Sequence, residues 1–317
     1  MIIYCDKYTV RNFAKENTMN REKMMTFLKK SLKILPDQSY VKLYFRLNLH
    51  RTLNLKRPEY LNDKLQWLKF NYRFPLQTIV SDKYAVREYV AKKIGEEYLI
   101  PLLGVWDDFD DINFNELPNQ FVLKCNHDSG GLAICTNKEN FNIVAVKKKI
   151  VKSLKNNFYW IGREYQYKNI MPKIICEEYI TENGEVPEDY KIYCFNGNPD
   201  AILVCKGRFA AGSHRAQYYF YDHTWSFLPY NKGDTKKNDP EVEKPENLDE
   251  MLEIAKKLSE DFIFARIDLY NIKGKIYFGE ITLSPNSGFD PDITIETDKL
   301  FGEKLKIPYW EKIRSGY

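Results

Sequence analysis

The sequence predicts an α+β fold on three observations. Apolar residues recur at helical spacing through residues 1–75, short apolar strands with tight turns follow, and no regular strand–helix–strand alternation links them. In the first region Met24, Phe27, Leu28, Leu32 and Leu35 fall on one helical face, as do Leu61, Leu65 and Leu68 beside Trp67. Residues 1–73 hold 16 Lys and Arg against 6 Asp and Glu, net +10, leaving −6 for the rest. Such a basic segment suits peripheral contact with an anionic membrane surface or an acidic polymer; a solvated helical face is the plainer account.

From residue 76 a single larger domain is expected. Asp82 to Ile94 reads as a helix with Val86, Tyr89, Val90 and Ile94 inward, stopping at Gly95. After the acidic, irregular Asp107–Pro118, strands Gln120–Cys125 and Leu132–Thr136 flank His127, Asp128, Ser129, Gly130 and Gly131, a glycine-tipped hairpin. A charged helix is expected over Val144–Asn156, then strands at Lys173–Ile180 and Asp189–Phe195, with Asn196–Pro199 turning the chain into Ala201–Cys205. Tyr218–Tyr221 is β-like, and Thr235–Asn247 reads as a surface connection. Asn247 is placed to cap a helix that turns Leu248, Met251, Leu252, Ala255 and Leu258 inward. Phe262–Tyr270 and Lys275–Thr282 form a second hairpin around Asn271–Gly274.

Composition narrows the class. The chain has 317 residues, 44% hydrophobic and 29% charged, which excludes disordered and fibrous classes. Its longest apolar run, Ala201–Cys205, is far short of the ~18 residues a spanning helix needs. The first residues break into charge too early for a secretory signal. A soluble cytoplasmic protein is expected. Six scattered cysteines lack a C-x-x-C pair or a nearby His, so they read as reduced core residues. A net charge of +4 gives no argument for nucleic acid.

Four segments carry chemistry. In Phe262–Tyr270, strand alternation puts Arg266 and Asp268 on one face, and a hairpin centred near Gly274 sets Glu280 opposite Asp268. Two facing carboxylates invite a hard cation such as Mg²⁺, although an exposed charge cluster gives the same pattern. Lys124 ends an apolar strand just before the glycine loop, where lysine and backbone amides suit polyphosphate oxygens, as surface decoration also would. Neither a Walker loop nor a dinucleotide fingerprint is present. Ile175–Ile180 places Glu177 and Glu178 at a strand end before Glu185, Asp189 and Lys191, which suits recognition of a base edge and ribose or simply an acidic loop. Lys83, at a helix start with Arg87 one turn on, opposes the helix dipole and so favours an external anion.

Taken in order, these segments resemble the ATP-grasp superfamily, and most specifically its branch associated with teichuronopeptide and capsular polysaccharide biosynthesis. The resemblance runs through Leu61–Lys69, Ser81–Tyr89, Leu117–Lys124, Asp189–Gly197 and Phe278–Thr282, covering about residues 40–305. It implies an ATP-grasp fold with a helical N-terminal extension, a glycine-loop subdomain at about 115–185 and a metal-binding subdomain at about 186–305. By the same resemblance Lys83 and Lys124 contact ATP phosphates under the loop His127–Gly131, with Ser129 and Gly130 in it. Glu177 receives the adenine amino group, the backbone of Glu178, Tyr179 and Ile180 reads the base edge, and Glu185 or Asp189 holds the ribose. Asp268 and Glu280 bind Mg²⁺, two ions in all, with Thr282 where the superfamily usually has asparagine; Asn286 or water are the other candidates for that place. Arg266 and Lys191 are the catalytic pair.

The implied reaction is ATP-dependent joining of a carboxylate to an amine through an acyl phosphate, on a uronic acid or related carboxylate of a cell-surface glycan precursor. The alternatives are a glycosyltransferase using Asp108-Phe-Asp110 or Asp290-Pro-Asp292, a non-turning ATP-binding scaffold, or a phosphotransferase that stops after the first step. His214, Arg208, Arg215 and Tyr218–Tyr221 are candidates for a sugar site, or equally for core and surface. Alanine at Asp268 or Glu280 is expected to abolish ATP turnover with the fold near intact.

Overall fold

The computed structural model describes residues 34–182, 186–207, 216–233 and 242–308. By their contacts, residues up to Thr52 and residues from Leu53 onward form two compact units. The first contains helix α1 (Asp37–Leu49), closed by His50 in the left-handed conformation. The helical positions expected at Met24, Phe27, Leu28 and Leu32 lie outside the described residues.

The second unit begins with helices α2 (Leu61–Asn71), α3 (Pro75–Ser81) and α4 (Val86–Lys93). Strands β1 (Leu102–Trp106), β2 (Phe121–Cys125) and β3 (Leu132–Cys135) follow, then α5 (Ile143–Leu154), α6 (Tyr159–Gly162) and β4 (Ile174–Glu178). Next come β5 (Asp189–Phe195), β6 (Asn198–Lys206), β7 (Gln217–Tyr221), β8 (Phe227–Leu228) and α7 (Leu248–Ser259). The hairpin β9 (Phe264–Ile272) and β10 (Lys275–Thr282) leads to α8 (Ile295–Lys304).

Two antiparallel sheets result, β1-β4-β2-β3 and β10-β9-β5-β6-β7-β8. The β9–β10 register sets Glu280 opposite Asp268 and Thr282 opposite Arg266, after an irregularity between Phe278 and Glu280. Lys273 and Gly274 close this hairpin with φ of 50° and 84°, the paired positive values of a tight two-residue turn.

Each sheet has its own apolar packing. On the smaller one Phe121, Leu123, Ile174 and Cys176 pack with Ile150 of α5. One face of the larger sheet, with Ile192, Cys194, Ile202 and Ile267, meets Met251, Ala255 and Leu258 of α7. The opposite face carries Tyr193, Phe195 and Phe264, which meet Leu65 of α2 and Phe301 of α8; the Phe195 and Phe301 ring centroids are 5.3 Å apart. Further along that same face β5 and β9 present Asp189, Lys191, Arg266 and Asp268. Alternation along each strand therefore makes one surface apolar where helices cover it and charged where they do not.

Some local details depart from expectation. The Asp82–Ile94 helix starts only at Val86, because Asp82 Oδ1 accepts from the amides of Tyr84 (2.8 Å) and Ala85 (3.2 Å) and makes a turn first. Asn247 supplies no side-chain cap; its Nδ2 donates to Gly274 O at 2.9 Å and ties α7 to the β9–β10 turn. Strands β1 and β8 and helix α8 had no expected counterpart. All five described cysteines are buried, and Cys5 lies outside the described residues. Among the described residues no helix is long and apolar enough to cross a membrane.

Candidate active site

A cleft lies between the two sheets. Lys124, Glu177, Glu178, Tyr179 and Ile180 line it from the smaller sheet, and Asp189, Lys191, Asp268, Tyr270 and Glu280 from the larger. Lys83, Arg87, Asp128, Ser129 and Gly131 complete it. Its lining includes the apolar side chains of Ile100, Val122, Ile134, Ile180 and Phe278, which suit an apolar ring, together with a charged end.

At that charged end each cation is held by a named partner. Lys124 Nζ lies 2.5 Å from Glu177 Oε2, while Arg87 Nη1 reaches Glu177 Oε1 at 3.1 Å and Arg87 Nη2 donates to Ile100 O at 2.9 Å. Lys83 Nζ donates to the Asp128 carbonyl at the loop tip. Burial pushes the Lys83 ammonium below the usual lysine range, with Glu280 and Asp128 pulling the other way. Lys191 Nζ sits 2.5 Å from both Asp189 Oδ2 and Asp268 Oδ2. Burial works against its charge, yet Asp268 and Asp189 hold it above the usual range. Arg266 grips Asp268 with two bonds of 2.7 Å and reaches Glu280 Oε1 at 3.3 Å and Thr282 Oγ1 at 3.1 Å. Burial would raise the Glu280 carboxyl, but Lys191, Arg266 and Lys83 hold it down at about 2.

The charge balance bears on the cofactor. Six carboxylates (Asp128, Glu177, Glu178, Asp189, Asp268, Glu280) line the cleft against four cations (Lys83, Arg87, Lys124, Lys191). A bare polyphosphate meets net negative charge there, whereas one carrying divalent ions does not. Among the described residues no group of three or more His, Cys, Asp or Glu side chains forms a metal cage. Glu280 with Asp268 and the Thr282 hydroxyl supplies only oxygen donors on one hairpin, the partial set that suits Mg²⁺ when phosphates and water complete it. These residues fit such an ion, although both Asp268 oxygens already accept from cations.

A second cavity of 930 Å³ adjoins the first, and Lys191 and Glu280 line both. Its walls include Arg266, Lys206, Lys232, Tyr193, Tyr218, Asn286, Asp290 and Asp292. The cleft, with its apolar and charged lining, thus opens beside a polar chamber that shares Lys191 and Glu280 with it.

A family model, TupA-like ATPgrasp, matches residues 63–306. The chain belongs to the TupA-like ATP-grasp family. ATP-grasp ligases join a carboxylate and an amine. Among solved structures, this ATP-grasp chain is similar to a D-alanine–D-alanine ligase from Bacillus anthracis, at 17% identity and a TM-score of 0.41, over 75% of this chain and 70% of that one. It is also similar to an L-amino acid ligase from Bacillus licheniformis, at 14% identity and a TM-score of 0.49, over 86% of this chain and 63% of that one. No curated protein matches the sequence.

Of the residues singled out in the sequence, the cleft gathers Lys83, Lys124, Ser129, Gly131, Glu177, Glu178, Tyr179, Ile180, Asp189, Lys191, Asp268 and Glu280. Arg266 stands behind them, in the second cavity, with Thr282 bonded to it. Glu185, His214, Arg208 and Arg215 lie outside the described residues. His127 is turned away from the cleft: its buried ring puts Nε2 at 3.0 Å from Asn156 O and Nδ1 at 3.3 Å from Asn126 Oδ1, pinning the loop base to the end of α5. Gly130 does not line the cleft wall. The Glu177 side chain, expected to receive the adenine amino group, is bonded through Oε1 to Arg87 and through Oε2 to Lys124, which aims the Lys124 ammonium. Arg87, seen in the sequence only as a neighbour of Lys83, joins the site through that carboxylate. Asp108 caps a short 3-10 turn and Asp110 pairs with Lys147, which accounts for the first D-x-D.

Proposed function

We propose that this protein is an ATP-dependent carboxylate–amine ligase acting on a uronic acid or related carboxylate of a cell-surface glycan precursor, in the cytoplasm. One observation carries the reading: the cleft lined by Lys83, Lys124 and Glu177–Ile180 and the polar chamber share Lys191 and Glu280, beside Arg266. Adenine lies against the apolar lining, met by the backbone of Glu178, Tyr179 and Ile180, with ribose toward Asp189. Lys83, Lys124 and the Asp128–Gly131 loop take the phosphates, and the region at about 115–185 serves as the subdomain closing over them. Glu280, Asp268 and Thr282 hold Mg²⁺, which when bound offsets charge on the phosphates.

The acceptor carboxylate enters from the chamber. Its oxygen attacks the γ-phosphorus, the bond to the β–γ bridging oxygen breaks, and ADP leaves. Lys191 neutralises the transferring oxygens. The amine nitrogen then attacks the acyl carbon and the tetrahedral oxyanion faces Arg266; the bond from carbon to the phosphate oxygen breaks, phosphate leaves, and the nitrogen's surplus proton passes to water to give the amide. No side-chain nucleophile is needed.

Incubation with ATP, Mg²⁺, a panel of uronic acids and amines, read by mass spectrometry, tests this. ADP, phosphate and an amide in equal amounts support it. A phosphorylated acid released without amide favours a phosphotransferase, and sugar transfer from a nucleotide donor without ADP overturns the ligase reading.

A further inference from the structure

Helix α2 buries polar residues on one side, with Asn62, Gln66 and Lys69 nearly inaccessible to solvent. At spacings of four and three residues they share a face. A buried polar group is tolerated only when bonded, so each one's partner matters. The side chains of Gln66 and Lys69, and that of Asn62 in this loop, hydrogen-bond to main-chain groups, and four of those five groups belong to residues 287–290. Asn62 Oδ1 accepts from Asp290 N at 2.8 Å. Gln66 Nε2 donates to Ser287 O at 3.1 Å and Gly288 O at 2.6 Å. Lys69 Nζ donates to Ser287 O at 2.7 Å and to Gly162 O at 2.6 Å.

The segment they hold has an uncommon backbone. Asn286, Ser287 and Gly288 have φ of 48°, 56° and 69°, three successive left-handed residues of which two carry a side chain. A Cβ on Gly288 would come within 2.8 Å of Gln66 Nε2, so the loop lies flat against the helix. Ser287 Oγ donates to Glu164 Oε1 at 2.6 Å, fixing the far side. The loop leaves β10 just beyond Thr282, and its Asn286 and Asp290 line the chamber with Arg266 and Lys191.

We infer that Asn62, Gln66 and Lys69 are positioning residues for the acceptor: through main-chain bonds they hold the 286–290 loop so that Asn286 and Asp290 face Arg266 across the chamber. This rests on the chamber being the acceptor side of the ligase. The hydrogen bonds run to backbone, and the Lys69 ammonium also stands 4.7 Å from the Phe289 ring centroid, so the helix sets where the loop lies. The nucleotide cleft receives nothing from α2.

The test compares the full-length chain with Gln66→Leu and Lys69→Met. Three measurements are made: MgADP affinity by calorimetry, amide hydrogen exchange across residues 264–290, and steady-state kinetics with D-glucuronate or D-galacturonate and hydroxylamine, read as the hydroxamate. Expected are faster exchange at 286–290 with strand 264–272 unchanged, MgADP affinity within about twofold, and an acceptor KM raised by at least about tenfold while the ATP KM stays put, because small misplacement of a binding group costs rate steeply. Unchanged exchange at 286–290, or MgADP affinity falling as far as acceptor use, overturns the inference. If the wild type turns over neither uronate, the substrate reading fails separately, and exchange with MgADP affinity still decides the clamp. Asn62→Ala, which removes a single clasp, serves in place of either variant that fails to fold.

Discussion

Lys191 on β5 and Asp268 on β9 are register partners, and their charged atoms stand 2.5 Å apart in the interior. Asp268 also takes both bonds from Arg266, so one carboxylate neutralises two buried cations. Asp268→Asn leaves Lys191 with Asp189 and Arg266 with Glu280, so it is expected to lower stability by less than the ~3–5 kcal/mol of a stranded buried charge, and to remove turnover. Urea unfolding measures it. This revises the expectation of a near-intact fold for a change at that position; a variant of wild-type stability would mean that the cations are not held by Asp268.

Glu280 separates the two effects. Its side chain is 46% exposed and solvent screens its charge, so Glu280→Gln is expected to cost less stability than Asp268→Asn while removing MgATP turnover. The carboxyl is held near 2, below its ordinary 4.5. A depressed carboxyl keeps its contribution above the ordinary value and loses it only as the pH falls through the lower one. MgADP affinity at pH 5 and pH 8 should therefore be alike as far as Glu280 is concerned, and calorimetry at both values checks it against the Gln variant.

Burial pulls the Lys69 ammonium down from 10.5 to about 7, with Glu164 opposing. Between those values the unfolded chain binds a proton that the folded chain does not, so stability attributable to Lys69 rises with pH across that window. Denaturation midpoints of the wild type and Lys69→Met at pH 6.5, 8 and 9.5 should diverge in favour of the wild type as pH rises. A constant difference would show Lys69 charged throughout.

His127→Ala is expected to lower stability by ~1–3 kcal/mol, since it takes away the side-chain donor to the Asn156 carbonyl just beyond α5; the Ser153 carbonyl keeps its bond from Asn156 N. MgADP affinity should hold within about twofold. Thermal melts with and without MgADP read both quantities, and a selective loss of affinity would return the ring to the phosphate loop.

Much of this was legible in the chain. The β9–β10 hairpin and its pairing of Asp268 with Glu280 follow from alternation and one tight turn, both local properties. So does the glycine hairpin beside Lys124. What local pattern could not supply was the partner of each charge. Glu177 looked available until Arg87 and Lys124 arrived from other segments, and His127 looked loop-borne until α5 packed beneath it. Strand β1 was hidden because Leu102–Trp106 is half-buried throughout and makes an edge pair only with β4, so it carries no inside–outside alternation. The Thr294 hydroxyl, accepting from Thr297 N at 3.1 Å, was a readable start signal for α8 that the acidic sequence after it obscured.

The buried cysteines give the protein an internal gauge. Burial pushes the thiols of Cys125, Cys176 and Cys194 up to about 11, 12 and 12, so at neutral pH they are protonated as well as hidden. Alkylating reagents should meet them only when the surrounding packing opens. Cys125 and Cys176 sit under the smaller sheet and Cys194 under the larger, so the order in which the sulfurs are modified during gentle denaturation would report which layer loosens first.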